Sequence, residues 1–411
     1  TLRVTLVCKH TKEQMKEELD IIIHHGGKIL DVMVEHPVYG ELKANLMLTL
    51  CISFIASLVV TLLVIRYDHL HGHLSADHDM DGVQKFHAVA VPRIGGVGVL
   101  AGALIASLVS LFMEPGANQF GLLVLLCGSV AFIAGVIEDF TKKVGVKERL
   151  LATAVSGLCG GFLLGGWLTR LDVPGLDYLI AIPIVSILVT CIAISGVANA
   201  YNIIDGYNGL AGVVSIIVLL GLTYVARQVG DVQIVMISLA MVGSIAGFLV
   251  WNFPRGLIFL GDGGAYLIGF MIAELSVLLV ARNPSVSPWF PLLLNFYPIF
   301  ETIFSMYRKK IKRGISPGVP DGLHLHMLIY KRVVRWAVGT DSVKQKTTRN
   351  ALTSLYLWVL SSFSVIPAII FWDNAVVLMC FSVLFSATYL KIYKTIVRVK
   401  VPSWIKIEKN K

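Results

Sequence analysis

Residues 196–212 read Gly-Val-Ala-Asn-Ala-Tyr-Asn-Ile-Ile-Asp-Gly-Tyr-Asn-Gly-Leu-Ala-Gly. This polar segment lies between two apolar runs at 179–198 and 210–226, each long enough to cross a membrane. Unpaired polar groups are costly in hydrocarbon, so we expect its polar side chains to lie at a membrane surface or to line a cavity. Those side chains are Asn199, Asn202, Asp205 and Asn208. The segment indicates either a glycine-rich turn between two helices or a loop that binds a ligand, since amides match a nucleobase edge and a carboxylate binds a cation.

The composition of the 411-residue chain indicates a membrane protein. Hydrophobic residues make up 56% of the chain and charged residues only 15%, whereas a soluble domain has about 25% charged residues. We predict an all-α polytopic membrane protein with about eleven transmembrane helices. The predicted spans are 45–65, 94–113, 120–137, 150–168, 179–198, 210–226, 232–251, 265–281, 289–306, 351–372 and 375–394. The six cysteines form no CxxC pair, so we interpret them as apolar filling rather than as disulfides or a zinc site.

The basic residues are distributed unevenly between the predicted loops, and this predicts the orientation. Counted from the first span, the odd loops and the C-terminal tail carry most of them, whereas the even loops carry only Arg170, Arg227 and Arg282. Because cytoplasmic loops are rich in Lys and Arg, we predict an N-terminus outside and a C-terminus in the cytoplasm. Topology and lipid headgroups account for most of the basic residues behind the net charge of +9, so no nucleic acid is expected as a partner. The predicted regions are a non-membrane segment at 1–43, a transmembrane domain at 44–395 and a basic tail at 396–411.

The N-terminal segment does not follow the membrane pattern. It begins without Met, shows no cleavable signal peptide, and reads as an amphipathic helix, a Gly-Gly turn and a strand. Its text around His10 and Glu18, and Val-Glu-His-Pro-Val-Tyr-Gly-Glu at 34–41, resembles the start of the 3H domain of nicotinate-responsive repressors. In that family the positions of His10 and Glu18 belong to a metal site, which a fragment of this length would leave incomplete.

Two acidic motifs lie at the ends of predicted spans. Glu138 and Asp139 end the third span and are followed by basic residues, a pattern that suits phosphate and divalent-cation chemistry but also an ordinary charged helix end. Asp262 in Gly-Asp-Gly-Gly at 261–264 is a more specific signal, because glycines let a carboxylate and the backbone close on a metal-bound phosphate. The basic residues after the doublet are Lys142, Lys147 and Arg149.

Other polar residues at span ends are weaker candidates. Lys85 and Arg93 precede the second span and could meet a lipid phosphate or only anchor the helix end. His324 and His326 alternate, so a strand would place them on one face and a turn could aim both at a diphosphate; zinc is less favoured because no cysteine is near. Two acids within predicted spans, for which the sequence shows no partner, are functional candidates by default. They are Glu274 and Glu301.

From Lys85 to about Arg332, and more loosely to residue 394, the chain resembles the polyprenyl-phosphate N-acetylhexosamine-1-phosphate transferases. Five motifs occur in the order of that family, each on a predicted cytoplasmic loop. They are Lys-x-His…Val-Pro-Arg-Ile-Gly-Gly at 85–96, Glu-Asp-Phe-Thr-Lys at 138–142, Asn-Ala-Tyr-Asn-Ile-Ile-Asp-Gly-Tyr-Asn-Gly-Leu-Ala-Gly at 199–212, Phe-Leu-Gly-Asp-Gly-Gly at 259–264 and His-Leu-His at 324–326. The resemblance implies an enzyme of the bacterial cytoplasmic membrane that attacks the β-phosphorus of a UDP-sugar with a lipid phosphate and releases UMP.

Roles follow from the resemblance for particular residues. It implies that Asp262 and Asn202 bind Mg²⁺, with Mn²⁺ as an alternative, and that Asp139 positions or deprotonates the acceptor phosphate. Asp205 would support the nucleotide pocket, and Asn208 would face the uracil. The implied catalytic acids are Glu138, Asp139, Asp205 and Asp262. The implied substrate contacts are Lys85, Arg93, Lys142, Lys147, Arg149, Asn199, Asn202, Asn208, His324 and His326.

The chain departs from the family pattern in two places, and the family itself has two branches that use different UDP-sugars. Glu138 stands where an Asp is usual, and Asn208 stands where many bacterial relatives have Asp. The His-Leu-His text resembles the branch that uses a UDP-N-acetylhexosamine and primes surface polysaccharides such as O-antigen, whereas three consecutive histidines are usual in the peptidoglycan pentapeptide branch. The expected partners are UDP-N-acetylhexosamine, polyprenyl phosphate and the bilayer, with a homodimer left open. A multispan lipid or solute transporter is the alternative from another class.

Overall fold

The computed structural model describes residues 37–67, 91–113, 119–316, 322–335 and 343–398. These residues form helices and connecting loops without a β-strand, as predicted. The predicted strand at 28–34, Lys85 and the tail beyond residue 398 lie outside the described residues. The chain divides into two units, Thr1–Asn45 and Leu46–Lys411, and all of the site residues lie in the second.

The helices follow one another along the described chain with short connections. They are α1 (Pro37–Arg66), α2 (Gly96–Met113), α3 (Gln119–Thr141), α4 (Val146–Leu164), α5 (Leu176–Ile180), α6 (Pro183–Ile204), α7 (Leu210–Gln228), α8 (Val232–Asn252), α9 (Gly261–Arg282), α10 (Trp289–Leu294), α11 (Phe296–Tyr307), a π-helical turn (Arg308–Lys312), α12 (Leu325–Leu328), a second π-helical turn (Ile329–Val334), α13 (Val343–Ile370) and α14 (Ala375–Arg398). Eight helices in the described part are long and apolar enough to cross a membrane. They are Asn45–Arg66, Gln119–Thr141, Pro183–Ile204, Leu210–Gln228, Val232–Asn252, Gly261–Arg282, Gln345–Ile370 and Ala375–Arg398.

The structure confirms the polytopic class but not the number of eleven spans. The predicted span 94–113 is a shorter apolar helix, and α4 opens with the charged run Lys-Glu-Arg at 147–149. The predicted span 289–306 is divided into α10 and α11 at Asn295. Pro298 has no amide N–H to bond the carbonyl of residue 294, which explains the break there.

Helix α9 is the centre of the bundle, and every residue from Gly263 to Val280 is buried. It packs against α3 and α6, the two helices that carry the other acidic and amide residues of the site. The approach of α3 requires glycine, because a Cβ at Gly135 would lie 2.5 Å from the Gly263 nitrogen. This close packing brings the C-terminal end of α3 to the first turn of α9.

The polar segment that begins at Gly196 is only partly a loop. Helix α6 continues to Ile204, so Asn199 and Asn202 are helical and three residues apart on one face. The helix persists because these amides are paired with side chains of α9 rather than exposed to hydrocarbon. The loop itself is confined to residues 205–209.

Candidate active site

Asp262 lies in the first turn of α9, and the residue before it makes that position accessible. Gly261 has φ +77, a left-handed conformation that side chains rarely adopt, and a Cβ there would overlap the Arg93 carbonyl oxygen. The peptide N–H groups of Gly95 and Gly96 in turn donate to the carbonyls of Phe259 and Leu260, at 2.9 Å each. The start of α9 is thus joined to the start of α2, and Asp262 sits at this junction.

Asp139 caps α9 from a different helix. Its two carboxylate oxygens accept the backbone N–H groups of Asp262 and Gly263, each at 2.9 Å, and its side chain is only 1% exposed. The first N–H groups of a helix have no partner within the helix, and negative charge is stabilised there. Asp139 therefore fixes the position of Asp262, and its oxygens are already occupied by peptide donors.

Three predicted residues from three other elements surround the Asp262 carboxylate. Arg149 of α4 forms an ion pair with it, and the Arg93 guanidinium lies 3.7 Å from its Oδ1. Asn202 of α6 donates its amide N–H to the same Oδ1 at 2.9 Å. The Tyr266 hydroxyl, one turn further along α9, donates to Asn199 at 3.2 Å. The structure thus brings together predicted residues that are far apart in the sequence.

Asp205 follows the end of α6 and is half-buried. Burial raises the pKa of its carboxyl well above the ordinary value, and the charge of Asp262 raises it further, whereas Arg93 opposes the shift. Asp139 raises it too, so the three carboxyl groups act on one another electrostatically. Such crowding is the pattern expected where a cation or a cationic ligand belongs.

The donor set at Asp262 suits a hard cation that brings other ligands with it. Among the described residues no group of three His, Cys, Asp or Glu side chains could hold a metal ion alone. Asp262 offers a carboxylate, and Asn202 retains a carbonyl oxygen because its amide nitrogen faces Asp262. Mg²⁺ is ordinarily held by one or two carboxylates together with water and substrate phosphates. The residues present fit that mode of binding.

Other predicted contacts lie further from this cluster or on its surface. Glu138 accepts the Val144 N–H at 2.7 Å and so holds the turn after α3. Lys142 and Lys147 are exposed on that turn and at the start of α4. Asn208 is buried and donates to the Pro254 carbonyl at 3.2 Å, while its own N–H donates to Asn350 at 2.7 Å. Its contact with uracil stays a prediction.

The two predicted histidines are stacked rather than placed on a strand. Their rings are nearly parallel, with centroids 5.1 Å apart, because residue 324 caps the short α12 and residue 326 lies within it. His324 and His326 are both buried. His326 packs edge-on against Tyr207, at 5.6 Å, in the loop that contains Asp205. No partner for Glu301 was predicted, yet its carboxylate lies 2.9 Å from His324 Nδ1.

Parts of this chain are similar to known proteins. The model of glycosyl transferase family 4 matches residues 121–280, and the 3H domain matches residues 3–51. The probable undecaprenyl-phosphate N-acetylglucosaminyl 1-phosphate transferase of Bacillus subtilis (strain 168) is 28% identical over 293 residues, which cover 68% of this chain and 77% of that protein. The undecaprenyl-phosphate alpha-N-acetylglucosaminyl 1-phosphate transferases of Yersinia pestis and Escherichia coli (strain K12) are 28% and 25% identical over 62% of this chain and 69% of each relative.

The family match and the site coincide. Asp139, Asn202, Asp205 and Asp262 all lie within the matched residues. The 3H match agrees with the resemblance seen in the sequence, and its residues 3–36 lie outside the described residues. The segment at 121–280, which holds the acids and amides of the candidate active site, matches the model of glycosyl transferase family 4.

Proposed function

We propose that this protein transfers N-acetylhexosamine 1-phosphate, of the N-acetylglucosamine type, from a UDP-sugar to polyprenyl phosphate and releases UMP. The observation that supports it most strongly is the cluster around Asp262, in which two arginines and an amide meet a carboxylate held at a helix start. Relatives that bear the names of such transferases share more than two thirds of their own length with this chain. The product would prime a cell-surface polysaccharide.

The chemistry requires little proton transfer. An oxygen of the lipid phosphate bonds to the β-phosphorus of the donor, the bond from that phosphorus to the bridging oxygen breaks, and UMP leaves with the bridging oxygen. A phosphate monoester has its second pKa near 6, so the acceptor is mostly dianionic at neutral pH. Positioning and compensation of negative charge therefore dominate the catalysis.

The residues of the site have distinct tasks in this scheme. Arg93 and Arg149 compensate negative charge at the diphosphate, and Asp139 holds the turn that carries Asp262. Asp262 and Asn202 would hold Mg²⁺, or Mn²⁺ in its place. When bound, the ion offsets charge on the diphosphate as the leaving group departs.

The orientation in the membrane belongs to the same proposal. We place the protein in the bacterial cytoplasmic membrane, with its N-terminus outside and its C-terminus in the cytoplasm, because the basic residues gather on one set of loops. Single cysteines at Lys143 and Lys310, both exposed, should label only from the cytoplasmic side. Labelling of both from outside would contradict the assembly of the site on one face.

The deciding experiment measures UMP release by purified protein with undecaprenyl phosphate, Mg²⁺ and a panel of UDP-sugars. We expect turnover with a UDP-N-acetylhexosamine and none with UDP-glucose. Turnover only with UDP-N-acetylmuramoyl-pentapeptide would move the protein to the peptidoglycan branch. Substrate transport without UMP release would favour a transporter. Asp262→Asn, prepared in parallel, controls for UMP released by a contaminating enzyme.

A further inference from the structure

We propose that Glu301 is a positioning residue of this enzyme, which fixes His324 so that its Nδ1 carries a proton and its Nε2 is presented to the diphosphate-sugar part of the donor. The inference rests on the proposed function for the role of His324. It concerns a residue that the sequence marked only as an acid within the membrane.

The surroundings of Glu301 support an orienting role. Its side chain is fully buried on α11, and its Oε1 lies 2.9 Å from His324 Nδ1 and accepts the Leu325 N–H at 3.1 Å. Its Oε2 accepts the Tyr389 hydroxyl of α14 at 2.6 Å. The peptide N–H of Leu325 and the hydroxyl of Tyr389 donate to separate oxygens of this group, which suits an ionised carboxylate, because such a group only accepts hydrogen bonds.

This contact determines the tautomer of His324. A carboxylate cannot donate, so the ring nitrogen that faces it must carry the proton, and that nitrogen is Nδ1. The second ring nitrogen, Nε2, is then the one available to a substrate. A histidine held by a carboxylate in this manner keeps both its tautomer and its ring orientation.

The orientation of His324 is transmitted to its neighbours. The ring of His326 lies parallel to it within 4°, with a centroid distance of 5.1 Å. The Nε2 atom of His326 would lie 3.9 Å from a Cβ at Gly206, the residue after Asp205. Rotation of the His324 ring would therefore disturb the stacked histidine pair that borders the loop at residues 205–209.

Two variants and a control test the proposal. Glu301→Gln keeps the volume but removes the charge, and we expect kcat/KM to fall by roughly 10- to 100-fold, as when the hydrogen-bonded partner of a ligating histidine is removed. In a His324→Gln background the same change should cost less than about twofold, because a residue that acts only through His324 has nothing left to position. Glu274→Gln is the matched control. Glu274 is equally buried within the membrane domain, and its oxygens have no hydrogen-bond partner among the described residues.

A spectroscopic measurement makes the test independent of variants and of turnover. In ¹⁵N-histidine-labelled wild-type protein, the signals of His324 are assigned by their absence in His324→Gln. We expect Nδ1 to be protonated, since a protonated ring nitrogen resonates far upfield of an unprotonated one, and we expect Glu301→Gln to change that signal. The wild-type spectrum decides this point even if Glu301→Gln does not fold.

The outcomes separate failure of the inference from failure of the proposed function. An unprotonated Nδ1 in the wild-type protein overturns the inference. So does a full additional loss from Glu301→Gln in the His324→Gln background, or an equal loss in Glu274→Gln. Absence of UMP release by the wild-type enzyme with every UDP-sugar would instead refute the proposed function, and the spectrum would still test the contact.

Discussion

Replacement of Asp139 by Asn tests whether this residue positions Asp262 or acts as a base. The carboxylate accepts two peptide N–H groups at 2.9 Å, and an amide offers only one oxygen, so its NH₂ group would face a peptide donor. Loss of a hydrogen bond to a charged group and of the partner of a buried N–H should weaken the anchor by about 2–4 kcal/mol. If this whole free energy is lost from the stabilisation of the transition state, kcat falls by about 30- to 1,000-fold.

The measurements are kcat from UMP release, at pH 6 and at pH 8, and thermal unfolding in detergent. A positioning role predicts a lower unfolding temperature and a similar loss of kcat at both pH values. Asp177→Asn is the matched control, because the Asp177 carboxylate likewise accepts a peptide N–H, from Leu171 at 2.6 Å. Asp177 lies before the start of α6, whereas Asp205 of the candidate site lies after its end, so the two are at opposite ends of that helix. Asp177→Asn should therefore lower stability while turnover stays normal.

A base would behave differently. Its removal should matter most at low pH, where the acceptor is still protonated, and should matter little once the acceptor is a dianion above its second pKa near 6. A folded Asp139→Asn protein with unchanged unfolding temperature, whose deficit largely disappears at pH 8, would refute the positioning role. Near-normal turnover at both pH values would refute both roles.

The remaining predictions concern a metal ligand, a titrating acid and the N-terminal segment. Asp262→Asn should lower kcat by at least roughly 10³, with normal membrane insertion and only partial rescue by excess Mg²⁺, because metal stabilisation is worth several kcal/mol; a folded variant within about tenfold of wild type would contradict this. Burial and the charge of Asp262 raise the pKa of the Asp205 carboxyl well above its ordinary value, so the folded state binds more protons than the unfolded state and stability falls as pH rises above about 4. In EDTA, Asp205→Asn should therefore unfold at a higher temperature than wild type at pH 8, and the difference should shrink towards pH 5; a difference that does not change with pH would contradict it. Deletion of residues 1–43 should leave UMP release within a few-fold, and complete loss in a folded protein would contradict that.

Hydropathy predicts the fold well where a helix is both apolar and continuous. The predicted spans 210–226 and 232–251 lie within α7 and α8, since nothing in either run interrupts the backbone hydrogen bonds. The same signal misses the division of 289–306, where the composition is apolar but Pro298 removes a donor. It also ends α6 too early, because a hydropathy window treats Asn199 and Asn202 as exposed whether or not another helix pairs with them.

The motifs identify the residues of the site but not what each contacts. Glu138 and Asp139 are adjacent in sequence, yet one holds a local turn and the other caps a helix 123 residues away. A helix offers its side chains to different neighbours at successive positions, so adjacency says nothing about shared function. Glu301 was visible only as an acid in an apolar run, since its partner His324 is 23 residues away in the sequence and meets it only in the folded chain.

The charged residues of the site are tolerated in a bundle of apolar helices because most of their charge is compensated locally. Three carboxyl groups, those of Asp139, Asp205 and Asp262, lie near two arginines. Asp139 is satisfied by peptide donors, so its burial stabilises the start of α9. Among the described residues, no peptide N–H groups compensate the other two carboxyl groups in this way. Asp205 has a raised pKa, and Asp262 depends on Arg93, Arg149 and Asn202. An ionised Asp262 repels an anionic diphosphate, so the proposed function includes a divalent cation that arrives with the donor and offsets both charges.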